Sequence, residues 1–273
     1  MNTIPLSGVI GWPVGHSRSP RIHGYWLKHH GLTGHYVPLA VAPEDLATVL
    51  KTLPKQGFVG SNVTLPHKEA ALALADEATW RARRIGAANT LRFVDGKVLA
   101  DNTDGEGFLA NLHQNAPAWR AGDGPALVLG AGGAARAILD ALIEAGAPEI
   151  LLANRTAARA ATLAEEFGKI VQPVDWADIS ETTKAAPTVV NTTSLGTSGH
   201  PPREIDLACR TGALVTDIVY APLVTPLLEQ ARGKGLQAVD GLGMLLHQAV
   251  PGFEQWFGVR PEVTEELRRV VLA

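Results

Sequence analysis

Three short polar clusters carry the side chains from which a reaction could be built. Asn62-Val63-Thr64-Leu65-Pro66-His67-Lys68 presents an amide, a hydroxyl and an amine in close succession. That set suits a polyhydroxylated ligand, but a strand-end turn with a capping threonine and a solvated lysine uses the same residues. Gly86-Ala87-Ala88-Asn89-Thr90 and Asp101-Asn102-Thr103-Asp104-Gly105 repeat the pattern, with short polar side chains at the borders of apolar runs. Asn and Asp there also serve as turn formers and caps, and Asp104 reads equally well as a helix N-cap.

A fourth stretch has its chemistry in the backbone. In Ala126-Leu127-Val128-Leu129-Gly130-Ala131-Gly132-Gly133-Ala134-Ala135-Arg136 an apolar run meets glycines and then an alanine-rich helical pattern. A buried strand ending in a glycine turn exposes N–H groups at a helix N-terminus, where a pyrophosphate can approach. Gly130 permits the turn and Gly132 the approach, Ala131, Gly133 and Ala134 complete the exposed backbone, and Ala135 is small enough for close helix–strand packing. No Gly-Lys-Ser/Thr follows, which argues against a nucleoside-triphosphate loop.

These clusters sit at the borders of an alternating pattern. Strands are expected over Ile4 to Ile10, His35 to Val41 and Phe58 to Val63, with helices from Ser19-Pro20 (N-cap and N1) to about His30 and over Pro43 to Leu53. Thr90 to Ala100 flanks Asp95-Gly96, a two-residue hairpin signal, and is expected to add an antiparallel edge. A helix over Asp104 to His113 leads, through a crossing between about 102 and 120, to the glycine-loop strand. A second alternation follows: strands Glu149 to Ala153, Thr188 to Thr192, Ala213 to Ile218 and Gln237 to Val239, with helices Ala157 to Phe167 and Thr225 to Arg232. Gly241 to Ala273 reads as helical with breaks at Pro251 and Gly258 to Pro261. Strands joined through helices return in the same direction, so the fold class is α/β with two domains. One is a mixed, mainly parallel substrate domain (1–105 plus 241–273), the other a doubly wound Rossmann-like nucleotide domain (106–240).

Bulk composition narrows the partners. The 273 residues carry 24 Lys+Arg against 27 Asp+Glu, a net charge of −3, with no dense basic run of the nucleic-acid-binding kind. A small molecule fits better. Cys209 is the single cysteine, which excludes an intrachain disulfide or a cysteine-rich zinc site and suits a reducing cytoplasm. The first residues lack a secretory pattern and no run approaches the ~20 apolar residues of a membrane helix. Without His-Glu-x-x-His, no metal is assigned. A homodimer is left open.

In order along the chain, Gly11 through Pro20, Asn62 through Lys68, Asn89-Thr90, Asn102-Thr103-Asp104, Gly130 through Arg136, Asn191-Thr192-Thr193, Asp217 through Tyr220 and Gly243 through Gln248 resemble the motifs of the shikimate dehydrogenase family. The resemblance spans essentially the whole chain. It implies NADPH-dependent, reversible reduction of 3-dehydroshikimate to shikimate, an aromatic-precursor reaction. It further implies that Ser17 and Ser19 bind the substrate carboxylate, that Asn62, Thr64, Asn89, Tyr220 and Gln248 line the ring and its hydroxyls, and that Lys68 and Asp104 are the catalytic pair. Thr192 and Gly241 fall to the cofactor. The chemistry is consistent: hydride delivery to a ketone creates an alkoxide that needs a proton donor, and a carboxylate beside Lys68 would orient it.

Cofactor choice is legible after the second strand of the nucleotide domain. NAD sites place Asp or Glu there for the ribose 2′-hydroxyl; here stand Asn154-Arg155-Thr156, with Arg159 one turn on. Two guanidinium groups suit a 2′-phosphate, and cations at a helix start otherwise oppose its dipole, so the expected cofactor is NADP. A broader quinate/shikimate dehydrogenase is the neighbouring alternative. A non-catalytic NADP-binding sensor is the alternative of another class, and the presence of both Lys68 and Asp104 argues against it.

Overall fold

The computed structural model describes residues 4–197 and 205–273. The chain divides into two compact units, Met1–Asp104 with Leu246–Ala273, and Gly105–Leu245; boundaries at 105/106 and 240/241 were expected.

The first unit contains β1 (Leu6–Gly11), α1 (Ser19–His29), β2 (His35–Ala40), α2 (Leu46–Thr52), β3 (Gly60–Val63), α3 (Lys68–Leu74), β4 (Glu77–Ala78), α4 (Trp80–Ile85), β5 (Thr90–Val94) and β6 (Lys97–Asp101). Its sheet runs β2-β1-β3-β5-β6-β4. β1 pairs in parallel with β2 and β3, while β5 is antiparallel to both β3 and β6. The Asp95-Gly96 turn takes the left-handed conformation at both residues (φ +50° and +75°), which matches the twist of the strands it joins. The hairpin is not the edge that was expected. The two-residue β4 pairs in parallel outside β6, tied down by the Val98 N–H on Asp76 and by Lys97 on Glu77.

Two helix boundaries also differ from expectation. Helix α1 starts at Ser19, with Arg18 as N-cap and Pro20 in the first turn, so Ser19 is not the cap. Proline is tolerated in that turn because its missing N–H would have no helical partner there. The same reason places Pro251 inside the first turn of a C-terminal helix rather than at a break.

The second unit follows with α5 (Asp104–Asn115), β7 (Ala126–Leu129), α6 (Gly133–Glu144), β8 (Ile150–Ala153), α7 (Ala157–Phe167), β9 (Val171–Val174), α8 (Ile179–Ala185), β10 (Thr188–Asn191), β11 (Leu214–Asp217), α9 (Pro226–Gly233), β12 (Gln237–Val239) and α10 (Leu242–His247). All of its six strands pair in parallel, in the order β12-β11-β10-β7-β8-β9. Successive strand residues face opposite sides. Ala126 and Val128 therefore join Ile138, Leu142 and Val190 on one face, and Leu127 and Leu129 join Val189 and Val215 on the other. Strands buried on both faces are the reason these segments are uniformly apolar. The strand order reverses between β7 and β10, whose carboxyl ends lie side by side; this is where open α/β sheets bind ligands.

The chain returns to the first unit with α11 (Ala249–Phe257) and α12 (Glu265–Leu272). Trp256 on α11 closes over the sheet, donating its indole N–H to the Leu91 carbonyl at 3.0 Å.

Candidate functional site

Lys68 is the first residue of α3, just beyond β3, and Asp104 is the first residue of α5, just beyond β6. Although 36 positions apart in sequence, Lys68 Nζ and Asp104 Oδ2 lie 2.5 Å from each other. Both side chains are largely shielded, at 24% and 11% exposure, where a charge-assisted hydrogen bond is stronger than at an open surface.

Asn89 is the hub around this pair. Its Nδ2 faces Asp104 Oδ1 at 2.8 Å, Thr103 Oγ1 at 3.0 Å and Gln248 Oε1 at 3.2 Å. Its Oδ1 accepts from the Thr103 N–H at 2.8 Å. Thr103 Oγ1 also donates to the Gln248 carbonyl, and Asn102 accepts the Asp104 N–H, so the segment after β6 is tied down at every residue. One residue earlier, Arg81 and Thr79 hold Asp101. Burial pushes the Asp101 carboxyl up, yet the hydrogen bonds from Arg81 and Thr79 and the Arg81 charge outweigh it and hold it below the usual carboxylate range.

A second group of expected residues lies in the same unit. Asn62 Oδ1 accepts from the Tyr36 hydroxyl at 2.7 Å, and its Nδ2 is directed at the Asn89 carbonyl and Thr90 Oγ1. Ser17 and Ser19 meet at the start of α1, where the Ser19 N–H donates to Ser17 Oγ at 3.3 Å. Thr64 is half-buried beyond β3. Its methyl group takes the space beside Gly11, where an added Cβ would come within 2.6 Å of it. Tyr220 belongs to the other unit, half-buried on the loop after β11.

Tyr36 and Thr103 were not singled out from the sequence. Thr103 sits inside a polar motif that marked it; Tyr36 stands in an apolar strand pattern with no signal of its own.

The second unit presents a backbone site. Gly130 has φ +105°, and a Cβ there would come within 2.7 Å of Thr192 Oγ1, so only glycine fits. Thr192 Oγ1 in turn donates to the Leu129 carbonyl at 2.8 Å. Gly132 caps α6, and added Cβ atoms at Gly132 and Gly133 would meet nothing within 4 Å. The α6 N-terminus, with Ala134 in its first turn, thus opens onto free space, as a pyrophosphate cradle requires.

Asn154 braces the turn: its Oδ1 accepts the Ala131 N–H at 3.1 Å and its Nδ2 donates to the Thr156 carbonyl. Arg155, Thr156 and Arg159 are exposed around the start of α7, so the residues present fit a phosphorylated dinucleotide. At Gly241 an added Cβ would lie 2.3 Å from the Ile218 carbonyl oxygen, so its smallness serves backbone contact. Beneath this site, Asp217 is fully buried and accepts from Asn191, the Val219 N–H and Thr225. Burial pushes its carboxyl up despite those donors.

Among the described residues no His, Cys, Asp and Glu group is arranged to hold a metal, and no helix is long and apolar enough to cross a membrane.

Comparison with known proteins covers the chain from end to end. Residues 9–91 match the model of the shikimate dehydrogenase substrate binding domain, 115–243 that of shikimate / quinate 5-dehydrogenase, and 241–272 that of the shikimate 5'-dehydrogenase C-terminal domain. The shikimate dehydrogenase (NADP(+)) of Paracoccus denitrificans is 59% identical over 271 residues, 98% of this chain and 96% of that protein. The Thermus thermophilus shikimate 5-dehydrogenase in complex with NADP(H) and shikimate is 40% identical with a TM-score of 0.87, covering 98% of each chain. The quinate dehydrogenase of Corynebacterium glutamicum in complex with NAD is 33% identical with a TM-score of 0.90, also covering 98% of each chain.

Proposed function

The chain belongs to the shikimate dehydrogenase family, and from that premise we propose that it catalyses the reversible NADP(H)-dependent interconversion of 3-dehydroshikimate and shikimate. The unit built on β1–β6 holds the substrate, and the unit built on β7–β12 holds the dinucleotide. The observation that carries the reading is the shielded Lys68–Asp104 pair, faced by Asn89, which Gln248 meets in turn.

NADPH, when bound, supplies the hydride for the ketone carbon. The chain's own residues handle the charge that results. Lys68 Nζ gives a proton to the substrate oxygen as it becomes an alkoxide, and takes it back in the oxidative direction. Asp104 keeps the ammonium aimed and accepts from a neighbouring substrate hydroxyl through its other oxygen. Asn62, Thr64, Asn89 and Gln248 contribute the neutral hydrogen-bonding groups that distinguish a polyol ring from a deoxygenated one. Ser17 and Ser19 donate to the substrate carboxylate. On the other unit, the backbone from Gly130 to Ala134 cradles the pyrophosphate, and Arg155 and Arg159 clamp the 2′-phosphate.

The test is the absorbance of the reduced nicotinamide on mixing the protein with shikimate and NADP+. A strong increase is expected; NADPH binding with no turnover on any cyclic hydroxy acid would leave a sensor instead. Rates with quinate and NAD+, the pair suggested by the quinate dehydrogenase neighbour, measure how strict the enzyme is. The absence of cysteine pairing suits the cytoplasm, where we place the reaction.

A further inference from the structure

Tyr36 on β2 and His23 on α1 lie under the substrate-side residues. The Tyr36 hydroxyl donates to Asn62 Oδ1 at 2.7 Å. His23 stacks flat on the Tyr36 ring, centroids 3.9 Å apart and planes 4° from parallel. Trp26, Phe253 and Trp256 enclose the imidazole from other directions. His23 is fully buried, and neither ring nitrogen has a hydrogen-bond partner among the described residues. An imidazole kept at that cost contributes its flat face, which fixes the plane of the phenol.

The proton count then sets the orientation of Asn62. A hydroxyl has one proton, and Tyr36 spends it on Asn62 Oδ1. The Asn89 carbonyl can only accept, so a flipped Asn62 amide would set its oxygen against that carbonyl and leave the Tyr36 proton with no taker. The amide is therefore locked with Nδ2 toward Asn89 and Thr90 and with one lone pair of Oδ1 left for a ligand hydroxyl.

We propose that Tyr36, seated on His23, is a positioning residue for the reaction, fixing the Asn62 amide at the hydroxyl end of the substrate. The proposal rests on the reading of Asn62 as a substrate ligand.

Tyr36→Phe removes only the hydroxyl and keeps the stack. Its KM for shikimate is expected to rise roughly tenfold with kcat changed less than about threefold and the KM for NADP+ unaltered. Because Tyr36 acts through Asn62, adding Tyr36→Phe to Asn62→Ala should raise KM by no more than about twofold further. An unchanged KM in Tyr36→Phe, beside a raised KM in Asn62→Ala, overturns the proposal. So do effects that multiply in the double variant, and so does a fall in melting temperature with kcat and both KM values worsened together, the mark of a merely structural residue. A wild-type KM in Asn62→Ala would instead overturn the ligand assignment beneath it.

Discussion

In the unit that carries Lys68, the polar atoms that face one another belong to side chains: a lysine, an aspartate, two amides and two threonine hydroxyls, nearly all buried. In the unit that carries the glycine turn they belong mostly to the backbone, and the charged side chains nearby are exposed. The ligands explain the difference. A pyrophosphate offers the same charged oxygens in every dinucleotide, and main-chain N–H groups at a helix start suffice for it. A ring with several hydroxyls must be told from its relatives, which takes donors and acceptors placed one by one. The side-chain site should therefore break at the chemical step when one residue is changed, and the backbone site should break where a Cβ intrudes.

The largest effect tests the side-chain half. Lys68→Ala should lower kcat by about 10²–10⁴-fold while changing the KM for shikimate much less; near-normal turnover in steady-state assays would remove Lys68 as proton donor. Burial makes the same unit acid-sensitive. Burial pushes the His23 imidazole down to about 3, so the unfolded chain binds a proton there that the folded one refuses. Its contribution to stability is complete above pH 6.5 and is lost as pH falls from there toward 3, by up to about 1.4 kcal/mol per unit. Urea unfolding between pH 7 and 4, with the His23 ring followed by NMR, checks this; titration of that ring near 6.5 would refute it.

Two glycines sharpen the backbone half. Gly130→Ala should cost about 1–3 kcal/mol of stability, since φ is +105° and the added carbon meets Thr192. Gly132→Ala, in open space at φ −101°, should leave stability within about 0.5 kcal/mol. It should nonetheless weaken NADPH binding roughly tenfold by blocking the approach of the pyrophosphate. Thermal unfolding and cofactor titration separate the two effects. The smallest change is one of preference: Arg155→Ala should raise the KM for NADPH about tenfold and leave that for NADH nearly unaltered. Equal losses for both cofactors would end the phosphate-clamp reading.

The backbone half was the more legible in the sequence, because glycine turns and uniformly apolar strands are local signals. Gly130, Gly132 and the Asp95-Gly96 turn needed no knowledge of distant residues. Local signals were also overlooked: Thr79 caps α4 by accepting the Ala82 N–H, and Gly86 ends it in the left-handed conformation, a start and stop written in the sequence. Strand β9 was missed for a better reason. It holds Pro173, which argues against a central strand, and it is tolerated because β9 is the outer strand of its sheet. The meeting of Lys68 with Asp104 depends on strands β3, β5 and β6 lying side by side, which no periodicity in either segment reveals. Family resemblance named those two residues; Tyr36 lay beyond both.

Asn89 holds one further consequence. Its Nδ2 carries two protons and stands within 3.2 Å of three acceptors, on Asp104, Thr103 and Gln248. It supplies at most two of the three at a time. If the site takes a ring as proposed, an arriving hydroxyl brings this cluster of acceptors a proton that an ether or a deoxygenated ring cannot, and alcohols are sorted from their look-alikes before any hydride moves.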